Sequence, residues 1–566
     1  MRKYNLYTVI AALSMLLCTA CYEDKGNYDY KDLPQIVFDD DLYHLVTIDE
    51  DGEESTASYL NIRYGETLKI KPAYKLSKEA DIDLRFTWKL RDEKGQETVL
   101  GNEETLEWEA KEAMSGRLIL DMEDATNGTH FLSDISITVS EPYAGMGYLI
   151  LSEKDGKKML SFIAGSHMDI DESEYEKNPF EEFINVYEDV NKEALPSNTI
   201  KIHEHYHRDP GNNGSGQPAQ LMAVCEDQLI DFSSSLFTEV TRSSEFFSTP
   251  ISNIRDVEFM QWLDLVTDNE GHLYQRRKTT DELFHSQKFL SDPVKYKGEV
   301  LEGIKLIPGV FSGTYRGFAL LYDSKKNRYL TMSDQKFHNW STSKDESYVG
   351  KISELTSESS NGWPEGFTPL NNMDGYEVIY TGSNNMTNDY GGWQCISIIR
   401  EKTSGTYYYQ KFEVTHGYNS ADTYVTNMEQ GEVPAKLAAH ITADTKFAMP
   451  ERFTGFDGSS HPYLFAACGN DLYLYDMQDM EAGVSDALSF SSPITALCCE
   501  RYAGSFLSVG LEDGNFYAIR TNTAKNYWNW NNKSRLVRYH IPAEKLGKIQ
   551  GIYYKSDGIM ISLSSY

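Results

Sequence analysis

Residues 147–163 read GYLILSEKDGKKMLSFI. An apolar strand runs into a polar turn at Asp155-Gly156, and a second apolar strand follows. The Asp-Gly pair accepts the positive φ that a tight hairpin requires. The phrase returns as LMAVCEDQLIDFS (221–233), WLDLVTDNEGHLYQRR (262–277), FALLYDSKKNRYLTM (318–332), IIREKTSGTYYYQKF (398–412), PYLFAACGNDLYLYD (462–476) and FLSVGLEDGNFYAIR (506–520). Loose hairpin repeats across 142–566 predict a β-propeller, whose blades are four-stranded sheets. Seven phrases give about seven blades, each with insertions. The closing KIQGIYYKSDGIMISLSSY (548–566) either completes the first blade or forms an eighth.

Upstream, residues 34–141 have a different texture. LNIRYGETLKIKPAYKL (60–76) alternates at Leu60, Ile62, Leu68 and Ile70, and DLRFTWKL (83–90) puts Leu84, Phe86 and Trp88 on one face. LEWEA, GRLILDM and SDISITVS follow, so about seven short strands predict an immunoglobulin-like antiparallel β-sandwich with Trp88 in its core. The cysteine pair of antibody domains is absent. One helical insertion is expected at 178–195, where Asn178 caps, Pro179 opens the first turn, Glu181 completes a capping box and Pro196 stops the helix. Phe180, Phe183, Ile184 and Tyr187 would form its apolar face. The expected class is therefore all-β.

The N-terminus carries a processing signal. Arg2 and Lys3 precede an apolar run from Leu6 to Leu17, and LLCTACYEDKGNYDY (16–30) follows. The run is a dozen residues, short of the ~20 needed to span a bilayer as a helix. It reads as a signal peptide over 1–20, cut after Ala20, with Cys21 lipidated as the first mature residue. Cys18 stands where such a site usually has Leu. Residues 21–33 have no apolar periodicity and read as an acidic tether.

The formal net charge is −33 over 566 residues. Such a surface repels polyphosphate and argues against a nucleic-acid partner. The five cysteines beyond the N-terminus, Cys225, Cys395, Cys468, Cys498 and Cys499, are scattered, without zinc spacing, and are expected as buried small hydrophobes.

Three constellations remain. His203, His205 and His207 alternate, so a strand would set them on one face as weak metal candidates, but a surface strand is the favoured reading. Aromatic residues in Asn/Gly-rich loops (Trp340, Tyr390, Trp393, Tyr527, Trp528 and Trp530) are candidate ligand contacts, since a flat apolar ring beside amides suits a sugar. Structural packing is the favoured alternative and a protein interface the next, and Trp363 belongs to the same group. Trp528 and Trp530, expected on one face of a strand, lead the set. Asp49, Asp51 and Glu53 resemble a truncated calcium loop but read better as a hairpin turn. No nucleophile elbow, P-loop or dinucleotide fingerprint occurs, and no catalytic residue or cofactor is assigned.

The start CYEDKGNYDY, with YGETLKIKP, LRFTWKL, LEWEA and GRLILDMEDATNGTHFLSDISITV, resembles the PKD-like family lipoproteins of Bacteroidota. The resemblance covers the N-terminal third and reaches GYLILSEKDG. It implies a surface-exposed outer-membrane lipoprotein. Such a protein would be a non-enzymatic accessory subunit in glycan or peptide capture beside SusC- and SusD-like importers. Only Cys21 carries over as a functional residue. A propeller-type polysaccharide hydrolase and a purely structural envelope protein are the alternatives.

Overall fold

A computed structural model describes residues 36–38, 44–49, 51–77, 83–165, 180–205, 220–242, 246–260, 262–279, 285, 287–307, 317–339, 341–358, 362–383, 392–416, 422–450, 463–500, 506–521 and 527–555. The chain forms two compact units that part between Glu141 and Pro142.

The first unit is a sandwich. Its five-stranded sheet runs in the order Tyr59–Arg63, Thr129–Ser140, Met114–Asp124, Leu84–Asp92, Glu97–Gly101. The four-stranded sheet runs Glu54–Thr56, Leu45–Ile48, Thr67–Pro72, Leu106–Glu109. In Thr129–Ser140 burial alternates with period 2: Ser133, Ile135, Ile137 and Val139 point inward and their neighbours face solvent. Both sheets feed one core of Leu45, Leu68, Ile70, Trp88, Leu118, Leu120 and Ile137. Trp88 is fully buried, and its indole donates to the Glu103 carbonyl at 2.9 Å, so the ring enters the core without leaving an orphaned donor. One expectation needs correcting: the sandwich is not wholly antiparallel. Tyr59–Arg63 pairs in parallel with Thr129–Ser140, because the chain returns to that edge by a long crossover and not by a hairpin. The Asp49 loop is a turn. Asp49 Oδ1 accepts from the amides of Asp51 (3.0 Å) and Glu53 (2.8 Å), which uses the carboxylate locally.

Among the described residues, the second unit contains seven consecutive sheets of three to five strands. Their first strands are Lys548–Lys555, Thr199–His205, Ile254–Phe259, Ile304–Leu306, Tyr376–Ser383, Lys446–Ala448 and Ile494–Cys499. Each sheet is a meander in chain order except the first. There Lys548–Lys555 pairs antiparallel with Gly147–Lys154, which continues to Lys157–Ala164 and Glu181–Phe183. The C-terminal strand therefore completes the first sheet. The third sheet has three strands among the described residues, and the fifth gains a parallel outer strand at Thr356–Ser357.

The apolar clusters show how these sheets are arranged. Seven clusters each join two consecutive sheets. Leu149, Leu151, Ile202 and Leu221 join the first to the second. Met222, Val224, Val257 and Val266 join the second to the third. The series continues through the third and fourth, fourth and fifth, fifth and sixth, and sixth and seventh. Ala496, Phe506 and Phe516 of the seventh sheet then meet Tyr148, Ile150 and Ile552 of the first. The series closes on itself, so this is a β-propeller ring. It also explains the hairpin phrases. Tyr148 and Ile150 serve one seam and Leu149 and Leu151 the other, so both faces of the strand must be apolar.

From the sixth sheet through the seventh and first to the fourth, first strands of neighbouring sheets contact one another, which identifies them as the strands around the axis. Five of the seven carry a β-bulge, with the extra residue at Ile200, Arg255, Ile379, Thr495 or Gln550. A bulge raises local twist, as a strand near the axis needs.

The expected helix over 178–195 is mostly something else. Glu181–Phe183 pairs as an edge strand with Phe162–Ala164, and the helix is Val186–Asn191 alone. Asn185 adopts φ 53°, a left-handed conformation that breaks any helix started earlier. Phe180 and Phe183 are spaced for a helix face but pack against the sheets instead. Asn178 and Pro179 lie outside the described residues. Cys225, Cys395 and Cys499 are buried as expected, whereas Cys468 and Cys498 are half-buried.

Candidate functional site: the loop end of the ring

In an antiparallel meander, the links after the first and third strands emerge at one end and the link after the second at the other. This rule sorts the chain of the propeller unit. Links after second strands are short: 155–156, 226–228, 269–272, 324–327, 402–406, 469–470 and 512–515. Links after first and third strands include 165–180, 206–219, 307–317, 334–351, 384–391, 449–462, 477–487, 500–505 and 521–536. The strand ends that flank the long intra-sheet links therefore share one end, termed here the loop end. Loops fixed on a rigid scaffold are where binding residues concentrate.

Of the described sequence candidates, His203, Tyr527, Trp528 and Trp530 belong to this end. His203 lies on Thr199–His205 and meets the edge of Phe259 at 5.5 Å, while Glu204 is buried on the opposite face. The His205 side chain and His207 lie outside the described residues. Among the described residues no group of three His, Cys, Asp or Glu is placed to hold a metal. Trp340, Tyr390 and the Trp393 side chain also lie outside them, although the Trp393 backbone pairs with Val414.

Trp528 and Trp530 do not share a strand face, which corrects the expectation for them. Trp530–Asn532 is a 3₁₀ turn, capped by the Asn529 side chain accepting from the Asn531 amide at 3.1 Å. The Asn-rich run that suggested sugar contacts is capping a turn instead. Trp528 is 8% exposed and stacks on Phe465 at 5.9 Å in the core between the sixth and seventh sheets. Trp530 is half-buried against Phe490 and Tyr517, and its indole donates to the Ser489 carbonyl at 2.6 Å. Tyr527 remains accessible: Arg535 donates to its hydroxyl at 2.6 Å and sits 4.9 Å above the ring. Trp363 stacks on Phe367 beside the core between the fourth and fifth sheets.

Buried charge holds part of the loop end in place. Asp264 receives Arg276 Nε at 2.5 Å and Lys278 Nζ at 3.0 Å, with all three side chains enclosed. Lys278 Nζ also donates to the Met260 carbonyl at 2.6 Å, and burial pushes its ammonium below the usual range. Phe246, Phe259 and Phe289 surround the Arg276 guanidinium at 5.7, 5.7 and 4.9 Å. Asp231 pairs with His285 Nε2 at 2.7 Å nearby, and burial raises the Asp231 carboxyl. Closer to the axis, Lys201 of the second sheet meets Asp256 of the third at 2.5 Å. Burial works against the Lys201 charge, but Asp256 outweighs it and holds the ammonium above its usual range.

Sequence reasoning missed a cationic group between the third and fourth sheets. Lys336 Nζ lies 3.9 Å from the Trp262 ring centre and Lys351 Nζ 4.3 Å from that of Tyr348. Arg277 packs flat on Gly350, where a Cβ would fall 2.6 Å from the guanidinium. The run QRRK at 275–278 was its one sequence signal.

The class defined by these observations is an all-β protein with an N-terminal sandwich and a β-propeller. Residues 21–198 match the model of the PKD-like family, beginning at Cys21 and ending after the first sheet's outer strand and helix. Among solved structures the chain is similar to a quinonprotein alcohol dehydrogenase-like protein from Bacteroides thetaiotaomicron, at 12% identity over 91% of this chain and 98% of that one, with a TM-score of 0.30. It is also similar to apo AztD from Citrobacter koseri, at 9% identity over 84% and 98% of the two chains, with a TM-score of 0.34. The Dos1 propeller gives 9% identity over 72% and 88%, with a TM-score of 0.34. No curated protein matches the chain. No helix among the described residues is long and apolar enough to cross a membrane.

Proposed function

We propose that this protein is a lipid-anchored outer-membrane subunit that binds glycan or peptide at the loop end of its propeller and performs no chemistry of its own. The observation that carries the reading is topological: the strand ends flanking the long internal links share one end, while the other end has the tight internal turns and the links between sheets. A scaffold of this kind presents a variable surface, which is how binding propellers are built. The signal-like N-terminus with Cys21, and the PKD-like match that starts there, support anchoring and a place beside a SusC/SusD-type importer.

The test has two arms. Intact mass of the mature N-terminus should show cleavage before Cys21 and an acylated cysteine; an unmodified Cys21 would remove the anchor. Glycan and peptide arrays probed with the mature protein should give at least one specific ligand. Silence on every array, together with a membrane pull-down lacking any importer subunit, would sink the binding role.

A further inference from the structure

We propose that the seam between the third and fourth sheets, at the loop end, is a binding site for an acidic polysaccharide, a sugar chain bearing carboxylate or sulfate groups. The proposal rests on the reading that this end of the ring binds ligand, and it names the ligand's chemistry.

Arg277, Lys336 and Lys351 are exposed, and none has a carboxylate partner among the described residues. The three are contiguous, as the backbone bonds between their segments show. Lys278 N donates to the Trp262 carbonyl at 2.8 Å, and Trp262 N donates to Asp334 Oδ1 at 2.9 Å. The Tyr348 amide donates to Gln335 at 2.8 Å, Ser333 to Lys351 at 2.8 Å, and Gly350 to Ser333 at 2.7 Å. These bonds place Lys336, Lys351 and the Arg277–Gly350 contact on neighbouring rungs of one surface.

Three of the nearby acids hold hydrogen bonds or ion pairs of their own. Asp264 is buried under Arg276 and Lys278. Asp334 accepts the Trp262 amide, and Glu346 accepts from Asn339 at 2.7 Å and the Tyr348 hydroxyl at 3.0 Å. The buried pairs fix the backbone beneath the cations, so the charges stand on a rigid base.

Two features favour a sugar chain over a single headgroup or a peptide. The cations come from three segments meeting at one seam, which suits a ligand that carries more than one anionic group. Two half-buried rings, Trp262 and Tyr348, lie directly beside them. Aromatic rings take up the C–H faces of sugars, while lysine and arginine pair with carboxylate or sulfate.

The test uses the full mature protein. Polygalacturonate and heparin serve as acidic probes, dextran and soluble starch as neutral ones, and phosphatidylglycerol vesicles as the lipid control. Calorimetry should show binding to an acidic polysaccharide that weakens steeply with added salt, because exposed charge contacts are screened. The triple variant Arg277→Gln, Lys336→Gln, Lys351→Gln should bind it about tenfold more weakly, the combined effect expected of three exposed charge contacts. Its melting temperature should match the wild type, since all three side chains are exposed. Equal binding by wild type and variant, or no binding to either acidic polymer, overturns the proposal. Binding to vesicles but not to the polymers also overturns it, in favour of a lipid surface. If the variant keeps a neutral-glycan or peptide ligand found on the arrays, the loop end still binds and only its acidic specificity is rejected.

Discussion

Trp88 shows what one side chain contributes here. It fills the sandwich core and satisfies its own polar atom through Glu103. Trp88→Ala should destabilise the first unit by about 3–5 kcal/mol, the range for a large buried aromatic. Urea unfolding followed on that unit checks it, and a loss below about 1 kcal/mol would contradict the core assignment. His130, on the outer face of the same sheet, tests electrostatics. The Asp121 carboxylate accepts from His130 Nδ1 at 2.8 Å and attracts its proton, raising the imidazole above its usual value. The folded value exceeds the unfolded one, so the pair's stabilising effect is complete below the unfolded imidazole value of about 6.5 and fades as pH rises through the folded one. In NMR titrations His130 should have its midpoint above that of the same residue in Asp121→Asn; coincident midpoints would remove the pair. Among the thiols, burial pushes Cys225 up to about 11, which leaves little thiolate at neutral pH.

Among elements, the strand Lys548–Lys555 has the largest consequence. It supplies the first sheet's innermost strand, and Ile549, Ile552 and Tyr554 enter the seam with the seventh sheet. Lys545 and the Tyr539 hydroxyl, from the chain just before it, reach across to Glu182, and Lys548 reaches Glu512 at 2.6 Å. Deleting residues 548–566 opens an edge on Gly147–Lys154 and exposes two apolar faces. Three large buried side chains at about 1.5–3 kcal/mol each approach the 5–15 kcal/mol that holds a typical domain folded. The truncated protein should lose the cooperative unfolding transition of the propeller unit, as read by calorimetry. An unchanged transition would contradict ring closure by this strand.

The hairpin phrases were legible because each strand is apolar on both faces, a demand made by two seams at once. That the last strand joins the first sheet was only one of two readings, since pairing across four hundred residues leaves no local pattern. The helix at 178–195 failed because apolar spacing alone cannot see Asn185 turning left-handed or an edge strand recruiting Phe183. Trp528 and Trp530 were misplaced for a similar reason: period-2 spacing suggested a strand, while the Asn residues around them encoded a capped turn. The cationic group could not be assembled from sequence, because Arg277, Lys336 and Lys351 come from three segments brought together only by the seam.

For the whole molecule, the central claim is that the loop end, and not the turn end, is the working surface. Two exposed positions separate the alternatives. Ser341 lies in the link 334–351 at the loop end, and Thr403 lies in the turn 402–406 at the opposite end. A bulky maleimide–polyethylene glycol label can be placed on Ser341→Cys or on Thr403→Cys. Binding of each labelled protein to an array-positive ligand is then measured by surface plasmon resonance. The account predicts that the label at 341 weakens binding by about tenfold or more, the ~1.4 kcal/mol of one decade in affinity, while the label at 403 leaves it unchanged. Loss of binding from position 403 with full binding from 341 would contradict it.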